Sequence, residues 1–143
     1  MKHTYIYDEG QWTAEGFYFD ENEARYEVYG ETSVIREREH RRLEGFMDVS
    51  FSQPSRFTNS YKIYYGKSPD LMEWESFNPG LGTLKGKFVT NGNTITSSYT
   101  SNDGSVTGWE ILIQEKSGLY KNVGVCYVNN KKLSSWCVVL KKR

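Results

Sequence analysis

Between residues 67 and 131 the chain is broken by turn-forming clusters every 12 to 14 residues. No segment sustains the i, i+3, i+4, i+7 apolar spacing of a helix over three turns. Together these two features leave little choice of fold. The breaks are Gly66-Lys67-Ser68-Pro69-Asp70, Asn78-Pro79-Gly80, Asn91-Gly92, Asn102-Asp103-Gly104, Lys116-Ser117-Gly118 and Asn129-Asn130-Lys131. Asn-Gly suits a type I′ hairpin turn, whose two central residues need positive φ. Softer breaks fall at Asp20-Glu21-Asn22-Glu23, Gly30-Glu31, around His40 and at Gln53-Pro54-Ser55. Short segments joined by tight turns pair each with the next, which is a meander and not a Greek key.

The segments between the breaks alternate as half-buried strands do. Phe57, Tyr61, Ile63 and Tyr65 share one parity, against Arg56, Thr58, Ser60 and Lys62 on the other. Leu43, Met47, Val49 and Phe51 stand against Glu44, Asp48 and Ser50, and Trp109, Ile111 and Ile113 against Glu110 and Gln114, with Leu112 an exception. Segments 23–29 and 32–39 read as two strands or one bent one. A flat meander of this length exposes its edges and one apolar face, and no helix is available to cover them. Closure removes both problems. The expected fold is therefore all-β: an antiparallel up-and-down meander of about 8 to 10 strands closed into a barrel, with little or no helix. Two stacked sheets are the fallback, and residues 1–143 are read as one domain.

Composition narrows the partners. Lys plus Arg is 18 and Asp plus Glu is 18, so the net charge is zero. General nucleic-acid binding needs surplus cations, which makes it an unfavoured reading. Mixed clusters such as Tyr61-Lys62 with Tyr64 and Lys67, or Tyr120-Lys121 with Tyr127, are read as wall and solvent positions. The charge is uneven along the chain: residues 1–50 hold 6 Lys/Arg and 12 Asp/Glu, residues 51–143 the reverse. Opposite signs would assist pairing of the two chain ends. The first residues carry no apolar run of signal-peptide length, and no stretch of about 18 apolar residues occurs, so a cytoplasmic protein without membrane insertion is expected. Cys126 and Cys137 fit a reduced compartment, and with only His3 and His40 beside them no metal cluster is spaced for zinc. No cofactor and no metal is expected.

Gly10-Gln11-Trp12 opens the first strand, and this G-x-W resembles the motif of the lipocalin and broader calycin families. The resemblance implies a barrel that binds a small molecule, with Trp12 closing one end and a cation of the last strand packed over it. Lys141, Lys142 and Arg143 are the matching candidates, so Gly10, Trp12, Lys141 and Arg143 are assigned to barrel closure. The chain departs from the subfamilies. It lacks the helix after a lipocalin barrel, the helical pair and Arg-x-Tyr clamp of fatty-acid-binding proteins, and the late histidine of haem-binding nitrobindin-like barrels.

The barrel interior is the natural place for a site. Interior parity assigns Tyr18, Met47, Tyr61, Tyr65, Trp74, Phe88 and Trp109 to a ligand-binding wall, with Trp12 and Phe51 beside them. Gly16, Gly45 and Gly86 share that parity and would leave volume unfilled. The interior is then either a cavity lined by aromatics or a barrel filled by them. Aromatic lumen walls suit a small, partly hydrophobic or aromatic molecule with a few polar atoms. Catalytic signatures are sparse. There is no Gly-x-Ser-x-Gly elbow, no phosphate-cradling loop and no dinucleotide fingerprint. Glu15, Glu44, Glu75 and Glu110 are expected mostly outside, although a flipped face would turn one Glu, or Arg36, inward as an anchor or an acid–base group. Three functional readings stay open: a binding barrel, a barrel isomerase, cyclase or lyase, and a filled barrel acting as an interaction module. A homodimer is compatible with the aromatic content.

Overall fold

The structure, a computed structural model, describes residues 2–143. Ten strands follow one another without a helix: β1 (Gly10–Phe19), β2 (Arg25–Arg36), β3 (His40–Val49), β4 (Ser55–Tyr65), β5 (Leu71–Asn78), β6 (Gly82–Asn91), β7 (Thr94–Ser101), β8 (Val106–Lys116), β9 (Leu119–Val128) and β10 (Lys131–Lys142). Each is antiparallel to the next, and β1 also pairs with β10, from Trp12↔Lys142 to Phe19↔Ser135, so the sheet closes into a barrel with no free edge. The expected up-and-down closed barrel is the observed one. Segment 25–36 is a single strand, not two.

The expected turn clusters separate strands except Gly30-Glu31, which lies within β2. Gly92 sits at φ +60°, and Asn129 and Asn130 at φ +51° and +65°, the left-handed pair of a type I′ hairpin. Asp103 organises the β7–β8 turn by accepting hydrogen bonds from Ser105 N and from the Ser101 and Ser105 hydroxyls at 2.7–2.9 Å. Those donors hold its carboxyl down to about 2. The oppositely charged chain ends meet across the closure, through Lys132–Glu23 and Arg143–Glu31.

One end of the barrel is plugged by residues 3–8. The Tyr120 hydroxyl is the hub of this plug. It accepts from Thr4 N at 3.1 Å and Tyr5 N at 3.3 Å, and lies 2.8 Å from His3 Nδ1. With both lone pairs used, the hydroxyl donates to His3 Nδ1, which leaves Nε2–H to donate to Gly92 O at 2.9 Å. Thr4 Oγ1 donates to Gln114 Oε1, and the buried Arg41 donates to Tyr7 O. Tyr120→Phe strips the hub from several buried groups at once. It is expected to lower stability by about 1–3 kcal/mol, read as an earlier thermal melt, with faster amide exchange confined to residues 3–8.

Trp12 is 1% exposed at this end, but its ring is closed by aromatics, not by a cation. Tyr5 meets it edge-on at 5.0 Å and Tyr120 at 5.8 Å. Among the described residues the guanidinium groups stacked on rings are those of Arg25, Arg41 and Arg56, over Phe17, Tyr65 and Phe46. The expected packing of Lys141 or Arg143 on Trp12 is therefore corrected. Lys141 points outward on β10, and Arg143 is drawn to Glu31 and to the Tyr29 hydroxyl on β2. Gly10 faces the Lys142 side chain. Cys126 is buried inside and Cys137 exposed outside; both are free thiols.

Candidate functional site

Inside the barrel lies a cavity of about 590 Å³, within the usual range for small-molecule sites. It reaches from Tyr5 at the plug to a mouth at the opposite end, bordered by Arg56, Phe57, Asn59, Pro79 and Leu81. Of the residues expected on its wall, Tyr18, Met47, Tyr61, Trp74 and Phe88 line it. Tyr65 and Trp109 do not. Tyr65 keeps inward parity, but it is the last residue of β4, beyond the closed lumen, 56% exposed and stacked under Arg41 at 4.8 Å. Trp109 faces outward, 40% exposed, because β8 presents Val106, Gly108, Glu110, Leu112 and Gln114 to the interior. Phe51 lies just past β3 and joins Tyr18, Tyr26 and Phe57 in an aromatic cluster at the open end.

The inward glycines do not leave empty volume; they decide where the rings lie. Gly86 pairs with Trp74, Gly108 with Tyr99 and Gly124 with Trp136, each across a strand boundary. A Cβ at any of the three would run into the partner's ring. Each aromatic side chain therefore lies flat on a bare stretch of its neighbour, and the lumen stays open. The three atoms nearest a Cβ at Gly124 all belong to the Trp136 ring, which lines the cavity. Gly124→Ala is expected to break the Trp136–Asn122 hydrogen bond and shrink the cavity. The check is weaker binding of an apolar fluorescent probe, with far-ultraviolet circular dichroism unchanged.

Among the described residues one carboxyl lines this mainly apolar cavity, that of Glu110 on β8. Asn122 Nδ2 donates to its Oε2 at 3.2 Å and to Ile111 O at 3.1 Å. Trp136 Nε1 donates to Asn122 Oδ1 at 3.0 Å. The indole N–H can only donate, so it fixes the amide with its NH₂ toward Glu110. Burial pushes the Glu110 carboxyl above its ordinary value, and the Asn122 bond offsets only part of that rise. The hydroxyls of Tyr5, Tyr61 and Tyr99 are all raised, chiefly by burial and further by the nearby Glu110 charge. Tyr99 donates to Val125 O at 3.0 Å and Trp74 Nε1 to Ser97 Oγ at 2.9 Å, so these polar tips are satisfied by protein. The Cys126 thiol is raised by burial and is a poor nucleophile. Glu15 and Glu44 stand exposed outside, as does Arg36, while Glu75 lies on the outer face of β5 within reach of Tyr64.

The sequence reading missed Tyr5, Tyr99, Asn122 and Trp136, and expected Glu110 mostly outside. Gly108 carried the signal that would have found Glu110, because inward glycines mark the interior parity on the other strands as well.

The chain is thus a closed ten-stranded antiparallel meander with one plugged end and a cavity in its lumen. Among solved structures it matches the S-type phycobiliprotein lyase CPES from Guillardia theta, with a TM-score of 0.66 over 94% of this chain and 87% of that one, at 7% identity. At that identity the likeness is one of fold. No protein-family model matches the chain, and no curated protein matches it in sequence.

Proposed function

We propose that residues 1–143 form one barrel domain that binds a small, partly hydrophobic molecule in its lumen. In this reading Glu110 receives a hydrogen-bond donor or a cationic nitrogen of the ligand. The observation that carries the proposal is a carboxyl, aimed by Asn122 and Trp136, that lines a mainly apolar cavity of about 590 Å³. Burying an ionisable group in apolar surroundings is unfavourable unless a partner offsets it, and Asn122 satisfies only one of its oxygens. A ligand N–H would complete the set. The solved structure of similar fold is a phycobiliprotein lyase, which supports a lumen that handles a small molecule. Among the described residues no helix is long and apolar enough to cross a membrane. The free thiols agree with action in a reducing cytoplasm.

A second reading makes the same residue chemical. A carboxyl raised by burial can take a proton from one carbon of a bound molecule and return it to another. That is isomerase-type chemistry needing no further co-reactant, and it rests on Glu110 alone.

The test is native mass spectrometry of protein taken from cells, with organic extraction of what remains bound. A discrete extra mass that is lost in Glu110→Gln is expected. The proposal falls if no mass is retained and apolar amines give no saturable quenching of tryptophan fluorescence. Conversion of the extracted molecule by wild type but not by Glu110→Gln would favour the enzymatic reading.

A further inference from the structure

Two groups of the lumen wall keep a hydrogen-bonding position free, and they are of opposite kinds. The first is Glu110, where Asn122 donates to Oε2 and no described residue donates to Oε1. The second is Tyr61 on β4, which lines the cavity and whose hydroxyl has no protein partner among the described residues. Neither atom is sealed in the wall, because the sealed side-chain atoms without a partner are Trp12 Nε1, Arg41 Nε and Arg42 Nε. Three other aromatic donors of the same lumen are spent: Tyr99 on Val125 O, Trp74 on Ser97 and Trp136 on Asn122. Glu110 and Tyr61 belong to one patch of wall. Glu110 pairs with Ser97 across β7 and β8, Trp74 Nε1 reaches Ser97 Oγ at 2.9 Å, and the Trp74 ring meets that of Tyr61 at 5.1 Å. Burial, with the Glu110 charge added, keeps the phenol protonated. Tyr61 therefore offers a donor and the Glu110 carboxylate an acceptor.

Resting on the reading of Glu110 as the acceptor of a ligand N–H, we infer that the lumen takes a molecule with an amide-type head, a lactam, imide or secondary amide, its N–H on Glu110 and its C=O on Tyr61. An N–H beside a C=O on one planar group supplies both complements together. An indole or a plain amine satisfies Glu110 but takes water from the Tyr61 hydroxyl without replacing it, which is unfavourable. A ketone or ester meets Tyr61 and leaves the Glu110 charge unmatched, which is worse. A carboxylic acid brings a second negative charge to Glu110. Glu110 thus demands the N–H, and Tyr61 selects among the molecules that carry one, as a site built to hydrogen-bond a group rejects analogues that lack it. The Trp74 and Phe88 rings beside them suit a flat apolar body behind that head.

The test is isothermal titration calorimetry of the full chain at pH 8 with three molecules of matched skeleton. Oxindole carries the N–H and the C=O, indole the N–H alone and indanone the C=O alone. Wild type is expected to bind oxindole roughly 5- to 10-fold more tightly than indole, and indanone least. Tyr61→Phe is expected to bring oxindole to the level of indole and to leave indole unchanged, whereas Glu110→Gln weakens both. Since the Tyr61 hydroxyl bonds to no protein group, Tyr61→Phe is also expected to melt no lower than wild type. A lower melt marks a structural hydroxyl and overturns the inference. Oxindole bound no more tightly than indole, or a preference that survives Tyr61→Phe, overturns it as well. If indole binds and is weakened by Glu110→Gln in that case, the reading of Glu110 stands without the amide head; if none of the three binds, both fall.

Discussion

Glu110→Gln is expected to stabilise the protein at pH 8 and to weaken its grip on a lumen ligand at the same pH. The two effects have one origin. Glutamine keeps the shape of the side chain and accepts the Asn122 hydrogen bond, but it cannot ionise. In the wild type the carboxyl titrates near 4.5 in the unfolded chain and above that in the native barrel, where burial disfavours its charge. Between those two values the native state holds the extra proton, so wild-type stability falls as pH rises through that window and stays low above it. Below about 4.5 both states are protonated and the penalty vanishes. Thermal melts of wild type and variant are thus expected to converge at acid pH and to separate as pH rises, the variant melting higher. Asp103 adds a dependence of opposite sign in both proteins. Its native value of about 2 lies below its ordinary 3.8, so its stabilising contribution is full above 3.8 and is lost as pH falls toward 2. Because it is common to both, it cancels in the difference. On the binding side, a hydrogen bond to a charged group contributes about 1.5–3 kcal/mol, so losing the charge is expected to cost roughly 10- to 100-fold in affinity. Stability gained with binding lost is the pattern of a group held for function. Melting curves that stay parallel across pH would show that the carboxyl reaches bulk water.

The fold was legible because two independent signals agreed: regular turn chemistry, and alternation with no helical periodicity. On β4 and β6 that alternation also gave the correct faces, and Tyr61 and Phe88 reach the lumen. On β8 it gave the wrong sign. Alternation identifies the interior only where the exterior is polar, and the outer positions Trp109, Ile111 and Ile113 are as apolar as a core. The more polar parity, with Gly108, Glu110 and Gln114, was the interior one. Tyr65 shows a different limit, since parity says which way a side chain points but not whether the lumen extends to its level. The plug was not legible at all. Its organising contacts join Thr4 and Tyr5 to Tyr120 across more than 110 residues, and nothing in the local pattern of residues 3–8 announces them. Of the aromatic-on-glycine pairs only Gly86 stood among the glycines read as inward, and a glycine alone does not tell whether the space above it is vacant or holds a neighbour's ring.

Trp74→Ala is expected to be the most destabilising single substitution in the lumen wall. Trp74 is 4% exposed and meets Tyr61 edge-on at 5.1 Å, with Phe88 and Tyr99 at 5.9 and 5.8 Å. Its indole N–H donates to buried Ser97, and its ring covers the bare backbone at Gly86. Truncation removes the ring from three aromatic neighbours, leaves the Ser97 hydroxyl without that partner and exposes the Gly86 strand to the lumen. Tyr99 is held flat on Gly108 and hydrogen-bonded to Val125 O, so it is poorly placed to collapse into the gap. Replacing a buried tryptophan by alanine costs about 3–5 kcal/mol, which for a chain of this size is a melting shift of roughly 10–20 °C. Trp74→Phe keeps the ring stack and loses only the Ser97 bond, and is expected to cost about 1–2 kcal/mol. Trp109→Ala is the decisive comparison. That tryptophan has the same chemistry and the same sequence neighbour, a glutamate on its C-terminal side, but it stands on the outer wall at 40% exposure. On a monomeric sample its loss is expected to stay near 0.5 kcal/mol. If Trp109→Ala proved the more destabilising of the two, the parity of β8 would be reversed, and Glu110 would return to the outer wall.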